Sequence, residues 1–119
     1  MIAELKKSTD IVMTQNFTYT DEKENNLYEL QNIIARFNPN SKFQTIISCH
    51  WDTRPWADMD EQKGNHKQAI LGANDGASGV AILLELANIL ALNPPTIGVN
   101  LVLFDGEDMG VSGIAESYC

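Results

Sequence analysis

Cysteine is scarce in this 119-residue chain: Cys49 and Cys119 are the only two, too few for a disulfide framework. Histidine is equally rare, limited to His50 and His66. No apolar run approaches the ~18 residues of a membrane span, and "MIAELKK" is not followed by the apolar stretch of a signal peptide. Neither a span nor a leader is therefore expected in the chain. Bases number eight against sixteen acids, a net charge of -8, which argues against nucleic acid and anionic membrane surfaces as partners. There is no phosphate-cradling loop and no Cys-x-x-Cys site. "DGASGV" is not a nucleophile elbow, because Val80 stands where the second glycine is needed. What is present is an ordinary 44% of apolar residues, enough for one globular domain and hardly for two.

"QNFTYT", residues 15–20, alternates polar and apolar β-formers and predicts a strand, with "DEKENN" as an exposed turn after it. Asn16-Phe17-Thr18 also fits a glycosylation sequon, which matters only in a secreted eukaryotic protein. "LYELQNIIARFNPN" is ambiguous. Leu27, Leu30, Ile33, Ile34 and Phe37 have helical spacing, yet "NIIARF" before Asn38-Pro39 could equally be a strand. "KFQTIISCH" is a clearer strand, in which Cys49 is expected to be a small buried thiol. Residues 51–71 form a long polar segment without period, of the kind that in compact domains is functional or disordered. "SGVAILLELANILAL", residues 78–92, reads as a helix stopped by Pro94-Pro95, and residues 99–104 read as a central strand covered on both faces. Strand, loop, helix, strand is a βαβ unit, whose crossover is expected to be right-handed.

The two parallel strands of such a unit end at one edge of the sheet, where ligands of open α/β sheets bind. His50 and Asp52 follow the first strand; Asp105, Glu107 and Asp108 follow the second; Asp75 lies in "GANDGASG", in the loop that leads into the helix. One histidine and several acids are thus predicted to meet in one crevice. Acids crowded there repel one another and lose hydration, so they take up protons unless a cation holds them. A divalent metal such as zinc answers this need, accepting carboxylate oxygen and imidazole nitrogen and keeping one position open. Of the neighbours Glu107 and Asp108, one can bind metal while the other moves protons. His66 is expected to be solvated, Glu85 to be structural, and Met59 and Met109 to serve in packing.

In order and spacing, "CHWDTRPWAD", "GANDGASGVAILLELA" and "LVLFDGED" resemble the zinc aminopeptidase-like metallopeptidase family, in particular its bacterial glutaminyl cyclase branch. The likeness covers roughly residues 14–108. It implies an α/β fold, a mixed-sheet zinc-exopeptidase (phosphorylase/hydrolase-like) sandwich with helices on both faces, of which this chain would be the N-terminal half. It also makes "NIIARF" a strand paired with "QNFTYT", followed by a meander into the next strand. Residue by residue, Asp75 and Asp108 match metal ligands and Glu107 the general acid/base. His50 matches a ligand of the second metal in two-metal aminopeptidases, a position that lies beside the metal in single-zinc cyclases. Asp52 and Asp105 are expected to support these groups from behind.

The activity implied is that of a zinc-dependent enzyme on peptide or protein N-termini. Cyclisation of N-terminal glutamine with ammonia release is preferred, with aminopeptidase hydrolysis or a non-catalytic binding module as alternatives. One zinc is expected rather than two. Members of the family are longer and draw a histidine ligand from a later part, so residues 1–119 are read as a partial domain, inactive alone. The strand from Val99 would then lack a neighbour and leave an apolar edge open to self-association. A periplasmic or secreted location is the family's implication.

Overall fold

In the computed structural model of the protein, residues 1–21 and 25–109 are described. A short helix α1 (Ile2–Leu5) precedes β1 (Val12–Asp21), β2 (Asn26–Phe37) and β3 (Gln44–His50). A long connection with a 3-10 turn at Lys63–Asn65 leads to helix α2 (Ala77–Leu92) and then β4 (Gly98–Phe104). The sheet runs β1-β2-β4-β3, antiparallel except for the parallel β3–β4 pair, so it is mixed.

The ambiguous segment is a strand. Its helical spacing is incidental, because Ile33, Ala35 and Phe37 lie opposite Leu103, Leu101 and Val99 and point to one face of the sheet. These six residues, with Leu5, Leu83 and Ala87, make the buried core, so α1 and α2 both cover that face. Burying a side chain of this size stabilises by about 1.5–3 kcal/mol. Gly79 lets α2 sit close to β3, for a Cβ there would lie 2.7 Å from the Cβ of Cys49. Cys49 is half-buried against this core, and burial raises its thiol pKa.

Several expectations need correction. "NIIARF" is indeed a strand paired with the strand that carries "QNFTYT", but the register is shifted: "QNFTYT" faces residues 27–32, while Ile33, Ile34 and Ala35 face Thr14, Met13 and Val12 and have β4 on their other side. The meander stops after one hairpin, since β4, not β3, lies next to β2. Nor does the strand from Val99 lack a neighbour. Its residues are buried along nearly their whole length, which only an interior position provides. The apolar edge is instead β3, with Ile46 65% exposed. Met59 is 70% exposed and packs little, because it lies on the long connection away from the core. Of the "DEKENN" turn, residues 22–24 lie outside the described residues, as does Cys119.

Candidate active site

Because β3 and β4 run parallel, with His50 beside Phe104, both chains leave the sheet at one edge. Trp51 N–H still donates to the Phe104 carbonyl (2.8 Å), which keeps the two exits together for one residue more. Beyond it, Asp52 turns its carboxylate under the β4 exit. Oδ1 accepts from Glu107 N–H (3.2 Å) and Oδ2 from Asp108 N–H (2.9 Å). A single half-buried carboxylate therefore fixes the backbone of the two acids expected to carry the chemistry.

His50 lies at the centre. Its Nδ1 lies 3.1 Å from the Asp52 carbonyl oxygen and its Nε2 3.0 Å from Asp75 Oδ1, with Glu107 Oε2 3.9 Å from Nδ1. Both ring nitrogens face acceptors, an arrangement met in full only by the doubly protonated ring. Burial opposes that charge, but the carboxylates of Glu107, Asp52 and Asp75 together outweigh it and raise the His50 pKa above its ordinary value.

Asp75 reaches this point because Gly76, at φ +89°, turns the chain into α2. A Cβ on Gly76 would lie 2.7 Å from the Asp52 carbonyl oxygen and 3.5 Å from the imidazole, so both conformation and space call for glycine.

Asp105 takes a different course. Its backbone N–H donates to Asn32 Oδ1 (2.9 Å) and its buried carboxylate accepts from Gln31 N–H (2.8 Å), tying the β4 exit to the hairpin. Trp51 Nε1 donates to the Gln31 carbonyl and closes this arrangement from the β3 side. Burial raises the Asp105 pKa, ahead of the opposing hydrogen bond from Gln31. Asp105 supports the site from beneath it.

The expected acids thus gather at one edge, joined by residues that the sequence did not single out. Arg54 N–H donates to Asp108 Oδ2 (2.9 Å), and its guanidinium grips Asp58 through Nε (2.6 Å) and Nη2 (2.8 Å). Arg54 Nη1 lies 3.7 Å from Asp108 Oδ1. The four-residue spacing of Arg54 and Asp58 was the available signal, hidden in a segment with no regular structure to give it meaning. His66 donates to the Asp60 carbonyl (2.8 Å) within the long connection. Glu85 is exposed on α2 and accepts from Asn88.

The mixed sheet with an acid-rich edge where its two parallel strands end is the architecture of the zinc exopeptidase-like structures to which the chain is similar, present here in part. Residues 32–118 match the model of Peptidase family M28, and the chain belongs to that family. It is similar to the glutaminyl-peptide cyclotransferase of Drosophila melanogaster, 34% identical over an aligned length of 82 residues, which covers 65% of this chain and 21% of the relative. Among solved structures it resembles the glutaminyl cyclase of Bacteroides thetaiotaomicron bound to N-acetylhistamine (TM-score 0.88, 38% identity), over 98% of this chain and 39% of that one. A Zn-dependent exopeptidase from Parabacteroides distasonis is comparably similar (TM-score 0.87, 34% identity), over 99% of this chain and 40% of that one. The chain therefore spans about a fifth of that curated relative and about two fifths of those structures.

The donor chemistry at the crevice suits zinc in kind. Asp108 has one oxygen fixed by Arg54 N–H, and Asp75 is an exposed carboxylate 3.0 Å from His50 Nε2. Among the described residues, no three His, Cys, Asp or Glu side chains converge closely enough to hold an ion.

Proposed function

We propose that the intact protein is a glutaminyl-peptide cyclotransferase, with Asp75 and Asp108 as zinc ligands, Glu107 as general acid/base and a further ligand from outside the described residues. One observation carries this: Asp52 holds the backbone of Glu107 and Asp108 together, so that adjacent acids serve different tasks. The pairing of Asp108 with Arg54 N–H and the position of Glu107 facing His50 support that division.

Bound zinc supplies a Lewis acid that polarises the side-chain amide carbonyl of an N-terminal glutamine. Glu107 accepts a proton from the substrate's α-amine as that nitrogen bonds to the amide carbon, then delivers it to the departing ammonia as the old C–N bond breaks. His50 and Asp52 hold Glu107 in place, and Asp75 and Asp108 hold the metal. The product is an N-terminal pyroglutamate.

Similarity to a Zn-dependent exopeptidase supports a second reading, in which Glu107 deprotonates a water that attacks the first peptide bond. Incubating the intact protein with an N-terminal glutamine peptide separates the two. Ammonia release with the chain length unchanged is expected. Release of a free amino acid would assign the peptidase, and neither product, in a protein free of zinc, would leave a binding module.

A further inference from the structure

Arg54 presents a difficulty for a cation site. A permanent positive charge stands 3.7 Å from Asp108 Oδ1, the carboxylate that the zinc reading assigns to the metal. Left to itself, a guanidinium beside a carboxylate forms a paired, two-bond contact, the strongest geometry open to it. That contact would occupy Asp108. Arg54 does not make it, because its Nε and Nη2 are already taken by both oxygens of Asp58 at 2.6 and 2.8 Å. The residue's backbone N–H meanwhile fixes Asp108 Oδ2, while Oδ1 has the guanidinium no nearer than 3.7 Å. Arg54 and Asp58 side chains are 23% and 30% exposed, so water competes only in part for these bonds.

We infer that Asp58 is a positioning residue for the metal site: it restrains the Arg54 guanidinium and so keeps Asp108 available to zinc. This rests on the zinc-binding reading above. Converting Asp58 to Asn removes its charge and one of its two acceptor oxygens, so the guanidinium keeps at most one neutral bond there, and Asp108 is the next carboxylate within reach. The Arg54 side chain then becomes a competitor for the site it flanks. Removing that side chain as well abolishes the competition while keeping the backbone N–H on Asp108.

The test is zinc affinity of the intact protein, measured by competition with a chromogenic chelator, together with thermal melting to establish that each variant folds. Asp58→Asn is expected to weaken zinc binding by about 10- to 100-fold, the usual scale for groups that orient metal ligands. Arg54→Met is expected to bind at least as tightly as wild type. The double variant Asp58→Asn/Arg54→Met is expected to recover affinity to within about threefold of wild type, a rescue that follows if the restrained cation is the cause. Wild-type affinity in Asp58→Asn overturns the inference, as does a double variant as weak as Asp58→Asn alone, which would make the pair a mere loop brace. Absence of zinc binding in the wild type removes the zinc reading and this inference together, an outcome distinct from either.

Discussion

Under α2, Val99, Leu101 and Leu103 pack on Ile33, Ala35 and Phe37 in a contact that is apolar and periodic. A few residues further along the same strands, His50, Asp52, Asp75, Glu107 and Asp108 meet through hydrogen bonds between loops. The first region is stabilised by burial, which tolerates no gap and is indifferent to charge. The second gathers five ionisable groups at the edge of the sheet, with Asp75 and Glu107 open to water, an arrangement made for something other than stability. Substitutions should separate the two regions cleanly, with large stability effects in one and large functional effects in the other.

The largest stability effect is expected at the core. Leu103→Ala opens a cavity beneath α2 and should cost about 2–5 kcal/mol, read from denaturant unfolding of the intact protein. Next comes Asp52→Ala, which strips the acceptor from two backbone N–H groups and should cost about 1–3 kcal/mol while also suppressing turnover. A stability loss without a loss of turnover would show that Asp52 only braces the loop. Gly76→Ala should cost about 1–3 kcal/mol from its left-handed backbone and the approach of Asp52. It joins the regions, because the strain begins at the start of α2 and displaces Asp75; unchanged zinc affinity would contradict that link.

The smallest effect concerns pH. The folded-state pKa of Asp105 is raised by burial, so its favourable contribution is complete below the unfolded carboxylate pKa and is lost as pH rises through the folded value. Metal-free protein should therefore lose stability across this acidic interval as pH increases. Asp105→Asn, whose side-chain oxygen can still accept from Gln31 N–H, should flatten that segment of the curve. An identical pH slope in wild type and variant would mean that Asp105 titrates normally.

The core was legible in the sequence wherever one element dictated its own pattern. The apolar run 99–104 and the helix 78–92 appear within a residue of the observed β4 and α2. β2 was harder, because Leu30, Ile33 and Phe37 satisfy a helical period by accident, and resemblance rather than periodicity resolved it. Of the strand order, the β1–β2 pair and the parallel β3–β4 pair were expected, but that β4 inserts between β2 and β3 depends on contacts distant in sequence.

For the site, the rule that parallel strands end together sufficed to gather His50, Asp52, Asp75, Glu107 and Asp108. It could not assign Asp105 to the hairpin, since nothing local to "FDGED" reveals Gln31 and Asn32 beneath it. Nor could it find the Arg54–Asp58 pair. Charged residues in an aperiodic loop have no predictable direction until the loop folds.

Zinc content and turnover, measured side by side on purified intact protein carrying Glu107→Gln or Asp108→Ala, address the division of labour between the two neighbours. If a doubly charged ion is what reconciles these acids, the Glu107 variant retains bound zinc but makes no product, while the Asp108 variant loses both. Zinc lost from the Glu107 variant, or kept at full affinity without Asp108, would contradict the account.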